Sequence, residues 1–220
     1  MSRLKEKIAY TTREIFIVSI GVLFAFFISN FSKRINESKK EKMIVLDLLG
    51  DIRYNIQQTE ETINLANIFL ESCINTTHLL KSGHFNIDSL PFALPALTQD
   101  ISTQINSTTY ESIKNTGELS LIRDKKIRSL IVEYYVYAID VRRAESSYNN
   151  VSADARNYIN VNVDIVNIFN HSLEILSSKE FYNRFHSAKI YTNLRQAFYK
   201  EFLKQSISAE EVIKNYFESL

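Results

Sequence analysis

The sequence predicts an all-α protein: one N-terminal transmembrane helix continuing into a long stalk helix, followed by an antiparallel, coiled-coil-like helical bundle. Three observations carry that expectation. Residues 15–32 hold no charged side chain and are mostly apolar. The 220 residues include only four glycines and two prolines, too few turn-formers for a sheet rich in tight turns. Beyond the apolar run, hydrophobic positions recur in alternating steps of four and three.

The first fourteen residues form a basic tail carrying Arg3, Lys5, Lys7 and Arg13. The uncharged run from Ile15 to Ser32 then reaches roughly 27 Å as a helix, close to the ~30 Å hydrocarbon core of a bilayer. A cleaved signal peptide would show small residues at its exit. Here the exit is Ile28-Ser29-Asn30-Phe31-Ser32-Lys33-Arg34, without a suitably spaced small pair and with positive charge, which favours an uncleaved anchor. Residues 1–42 hold nine Lys or Arg against four Glu, and the remainder is mildly acidic. The basic residues flanking the span, Arg13, Lys33, Arg34, Lys39 and Lys40, are placed to meet lipid headgroups. A nucleic-acid role would need basic residues along the domain itself, so none is expected. Flanking charge is nearly balanced across the span. A short basic tail ahead of it behaves as a signal anchor, which favours a cytoplasmic N-terminus with the domain outside.

Residues 33–220 form the bundle domain. The seam Val45, Leu49, Ile52, Ile56, Thr59, Ile63, Ala66, Leu70, Cys73, Thr77, Leu80 predicts a helix from about 33 to 82, stopped at Gly83. Its small and polar members are weak for an isolated dimer, so this helix should pack inside a bundle, with Cys73 as a small core residue. A single cysteine allows no intrachain disulfide. Residues 83–107 hold both prolines and read as a crossover or a lid, packed through Leu90, Phe92, Leu94 and Leu97. A short helix is expected over about 108–116, with a Thr108–Glu111 capping box and Gly117 beyond its end.

Asp124 should cap a long helix to about 170, with the seam Ile127, Leu130, Tyr134, Tyr137, Val141, Ala144, Tyr148, Val151, Ala155, Tyr158, Asn162, Ile165, Phe169. Matching period and length predict that it lies antiparallel to the stalk helix. Helices over about 178–220 start at Ser178 and carry Phe181 and Phe185, then a stripe of Ile190, Leu194, Phe198 and Phe202, then Val212, Ile213, Tyr216 and Phe217.

The span entry from Arg13 to Phe26, the exit Ser29-Asn30-Phe31, the basic stalk start, and Tyr110-Glu111-Ser112-Ile113-Lys114-Asn115-Thr116-Gly117-Glu118-Leu119 ahead of Ile131-Val132-Glu133-Tyr134-Tyr135 show a likeness. They resemble an uncharacterised Bacteroidetes single-pass membrane family, domain of unknown function 6090. The likeness covers most of the chain and departs at the exit, where the family often has Asn-Asn-Trp and this chain has no tryptophan. The resemblance implies a bacterial inner-membrane protein and no activity.

Gly21, Ala25 and Ser29 recur every four residues, which fits close approach by a second membrane helix or a chance placement of small residues. His78, His84, His171 and His186 show no spacing that puts two metal ligands on one helix face. No nucleophile elbow, phosphate-cradling loop or Glu-x-x-His pair occurs, so no cofactor and no catalysis are expected. The tyrosines of the long helix fit core packing or a ligand-holding interior. Two functions follow as expectations. One is a membrane-anchored scaffold that self-associates through its span and binds an envelope or cytoplasmic protein. The other is an extracytoplasmic sensor acting through a separate output partner.

Overall fold

The computed structural model describes residues 2–84, 88, 100–163 and 172–220, and the side chains of these except 2–15, 17, 152, 155, 172 and 173. Helix α1 is one unbroken element, Ser2–Ser82, of 81 residues and so about 120 Å long. Gly83, at φ 71°, ends it in the left-handed conformation that glycine adopts without a Cβ clash. Among the described residues four more helices follow: α2, Thr108–Thr116; α3, Lys125–Asn162; α4, Ser172–Leu176; and α5, Lys179–Ser219. A single 3₁₀ turn, Glu118–Leu121, lies between α2 and α3. Among the described residues there is no strand. The stretch 89–97, with its prolines, and the seam positions Ile165 and Phe169 lie outside the described residues, as does His171.

Side-chain pairs fix the topology. Arg53 pairs with Glu210 at 2.7 Å and Asn67 bonds Gln196, so α1 and α5 run antiparallel. Ser206 bonds Tyr134, Tyr199 bonds Glu145 and Arg184 pairs with Asp154, so α5 is antiparallel to α3 as well. The first and third helices are therefore parallel, with Glu41 beside Arg123 and Asn55 beside Tyr134. The expected antiparallel pairing of these two helices is corrected by residues 100–107. This extended strap carries the chain back down the bundle before α2 begins, so α3 starts at the same end as the stalk.

The strap explains polar positions that the apolar periodicity passes over. An extended segment inside a helical bundle has no ladder to satisfy its backbone, and each buried group needs a side-chain partner. The Ile101 carbonyl accepts from Arg195 Nη1 at 3.0 Å and from the Tyr199 hydroxyl at 3.2 Å. Thr103 N–H donates to Glu145 Oε1 at 2.6 Å. Arg142 donates to the Ile105 carbonyl, and Asn55 bonds both the N–H and the carbonyl of Asn106, at 2.6 and 3.0 Å. Ile101, Thr103 and Ile105 are all buried, the alternation of an extended chain with one face inward.

The seam expected on α1 is buried or half-buried throughout, but a second stripe lies beside it: Glu41, Ile44, Leu48, Asp51, Asn55, Thr62, Phe69 and Thr76. A helix with neighbours on two sides buries more than one seam. On α3 the buried centre includes Ile131, Tyr135, Ala138 and Glu145, none of them in the expected seam, while Asn162 is exposed. This helix ends at Asn162, short of the expected 170, and Val163 is extended. On α5 the expected stripe is corrected: Ile190, Leu194 and Phe198 are exposed at 47, 45 and 37 %. The buried line instead runs through Phe185, Ala188, Thr192, Arg195, Tyr199, Phe202, Ser206 and Ala209.

Helix starts depend on local chemistry in two cases and on tertiary chemistry in the third. Asp124 accepts from Lys126 N–H at 2.7 Å, and Ser178 Oγ accepts from Phe181 N–H at 3.1 Å. The expected capping box on α2 does not form. Asp51 of α1 takes the Thr109 N–H instead, and Glu111 pairs with Lys114 at 3.8 Å.

Candidate functional site

Among the described residues, the uncharged part of α1 is left exposed. A window near its start has mean hydropathy 1.3 and none of it is buried, so among the described residues one helix is long and apolar enough to cross a membrane. Phe16, Phe24, Phe26 and Phe27 are exposed, as are Gly21, Ala25 and Ser29, and no atom lies within 4 Å of where a Gly21 Cβ would sit. Steps of four overshoot a full turn by ~40°, so the line through Gly21, Ala25 and Ser29 winds around the helix. Continued, it reaches Lys33, Glu37 and the fully buried Glu41.

That winding brings the line onto a groove at the end of the uncharged run. The groove, of about 660 Å³, lies between α1 and the corner Thr116–Leu121. Ile28, Ser29, Ser32, Lys33, Asn36, Glu37 and Lys40 form one wall; Gly117, Glu118, Ser120 and Leu121 belong to the other. Gly117, at φ 77°, turns the chain sharply enough to present Glu118 to the stalk. Lys40 Nζ stands 3.5 Å from Glu118 Oε1, and Lys33 Nζ 3.9 Å from Glu37 Oε1. Three of the expected residues, Ser29, Lys33 and Lys40, thus share one site.

The Arg34 carbonyl accepts from Arg123 Nη2 at 3.4 Å, Lys39 is exposed, and the side chain of Arg13 lies outside the described residues. Below the groove, Glu41 joins three elements. Its Oε1 accepts the Arg123 N–H at 2.7 Å and the Tyr216 hydroxyl, and its Oε2 is 3.4 Å from Arg123 Nε. Burial, then the Glu41 contact, raises the Tyr216 hydroxyl above the ordinary tyrosine range. Glu41, Glu118 and Arg123 escaped the sequence reading because they are far apart in the chain and meet only through the returning strap.

The interior also holds ionisable groups. Burial raises the Glu145 carboxyl and lowers Arg195. Burial also pushes the Cys73 thiol up to about 11, so this cysteine is an inert core residue at neutral pH. The tyrosines form a stack: Tyr110 on Tyr135 at 4.4 Å, Tyr135 edge-on to Tyr134 at 4.9 Å, and Tyr134 on Phe202 at 5.6 Å. Packed on one another, these rings fill the space between α2, α3 and α5. Among the described residues no group of three or more His, Cys, Asp or Glu side chains is arranged to hold a metal ion.

Comparison with protein-family models, with curated proteins and with solved structures finds no match. The arrangement at the end of the uncharged run therefore stands on its own chemistry.

Proposed function

We propose that this protein is a single-pass, membrane-anchored helical scaffold without catalytic activity, self-associating through its span and presenting its bundle to another protein. The observation that supports this most is the continuity of α1, whose apolar start is bare and whose later turns are the core of the bundle. A rotation or approach of the span is then transmitted to the bundle without a flexible joint. The exposed stripe Ile190, Leu194 and Phe198, apolar where a free surface would be polar, supports a protein-binding face. The resemblance noted above adds a bacterial inner membrane as the proposed setting, with the bundle outside the cytoplasm.

Crosslinking in native membranes tests the self-association. Gly21→Leu places a large side chain on the small-residue face and should reduce dimer bands, whereas an unchanged yield removes that face from the proposal. Paired C-terminal fusions to alkaline phosphatase and to a fluorescent protein that matures only in the cytoplasm test the side. Active phosphatase supports the proposed orientation, and fluorescence reverses it.

A further inference from the structure

We propose that the groove between α1 and the corner Thr116–Leu121 binds the headgroup of a phosphoethanolamine lipid, an inference that rests on the membrane-anchored reading. Position comes first. Ser32 is the last residue of the uncharged run, and the groove reaches from Ile28, one turn before it, to Lys40, about 12 Å beyond it. The site therefore straddles the boundary between hydrocarbon and the headgroup layer, and lysine stems at this level snorkel along the helix.

Charge comes second. The groove contributes two ammonium groups, Lys33 and Lys40, and two carboxylates, Glu37 and Glu118. An anionic headgroup would meet the two carboxylates, whereas a zwitterion satisfies both signs: its phosphate diester faces the lysines and its primary ammonium donates to the glutamates. Ser29, Ser32 and Ser120 offer hydroxyls between them, and Ile28 and Leu121 give an apolar lip on the bilayer side. The existing ion pairs, at 3.5 and 3.9 Å on exposed side chains, are weak contacts that exchange readily for a ligand. The groove volume lies within the range of small-molecule sites, ~300–1,000 Å³.

Native mass spectrometry of the full chain, released from micelles doped equally with phosphatidylethanolamine, phosphatidylglycerol and phosphatidylcholine, tests this directly. The ethanolamine lipid should be retained about tenfold over the choline lipid, whose quaternary ammonium has no N–H to donate; that ratio corresponds to ~1.4 kcal/mol. The isosteric double variant Glu37→Gln with Glu118→Gln should lose the preference, and Lys33→Ala with Lys40→Ala should lower retention of all three. Equal retention, preference for the glycerol lipid, or variants that behave as wild type would overturn the site. Extraction of membranes with alkaline carbonate separates the two readings. A chain released by carbonate removes the anchor and with it the site, while a chain that stays and shows no headgroup preference removes the site alone.

Discussion

Asp51 of α1 caps α2 from outside: its Oδ2 accepts the Thr109 N–H at 3.0 Å, while its Oδ1 accepts from Asn106 Nδ2 at 2.7 Å. One carboxylate thus fixes the end of the strap and the start of the helix that leads into the corner Thr116–Leu121. Asp51→Ala should leave both donors unpaired and destabilise by about 2–3 kcal/mol. Asp51→Asn keeps one good acceptor and should recover about half of that. Thermal melts of the full chain in mild detergent give the comparison, and an alanine variant that melts with the wild type would show that water replaces the cap at no cost.

Tyr134 and Tyr135 touch edge to face yet differ at their hydroxyls. Tyr134 OH accepts from Asn55 Nδ2 at 3.1 Å and from Ser206 Oγ at 3.3 Å, linking three helices. The Tyr135 hydroxyl is buried and has no hydrogen-bond partner among the described residues. Tyr134→Phe should therefore cost about 1–2 kcal/mol, because it takes the acceptor from one buried Asn55 N–H while Ser206 keeps its bond to the Phe202 carbonyl, whereas Tyr135→Phe should be neutral or stabilising. The reverse order of melting temperatures would place an ordered water on Tyr135.

The contrast between these neighbours shows what the sequence could and could not tell. The unbroken α1, the Asp124 and Ser178 caps and the left-handed turns at Gly83 and Gly117 are local, and each was legible from a few adjacent residues. The parallel course of α1 and α3 was not, because the strap that imposes it lacks helical periodicity. Apolar counting also assigns one seam per helix and gives no place to Asn55, Glu145 and Arg195, whose task is to satisfy a buried backbone. By the same error Ile190, Leu194 and Phe198 read as core. Beyond the uncharged run, Lys33 and Lys40 were visible as charges, whereas Glu118 became part of the site only through the fold.

Glu145 gives the bundle a pH dependence with a definite sign. Burial raises its carboxyl, opposed by the Thr103 N–H, the Tyr199 hydroxyl, Arg195 and Arg142, which favour the charged form. The folded state then holds this proton more tightly than the unfolded chain. The group's contribution is full below the ordinary glutamate value of about 4.3 and falls as pH rises through the higher folded value. Glu145→Gln preserves an acceptor for Thr103 and removes the titration. The melting temperature of wild type relative to that variant should decline from pH 4 to pH 7, and a constant difference would mean the carboxyl is not raised.

Gly50 sits in the interior of α1 with no atom within 4 Å of the place its Cβ would occupy, so nothing inside the chain requires a glycine there. Gly50→Ala should raise stability by about 0.5–1 kcal/mol through the lower entropy of the unfolded chain. Gly21 precedes it by twenty-nine residues, close to eight helical turns, so both glycines lie on one face of one rod. If association is confined to the span, Gly50→Ala should raise the melting temperature and leave crosslinking unchanged, while Gly21→Leu reduces it. That is the expected pattern, since the stalk turns around Gly50 carry the exposed Met43 and Leu46, whose long side chains hold a second backbone away. Loss of crosslinks in Gly50→Ala would instead extend the contact between copies out of the membrane and along the stalk.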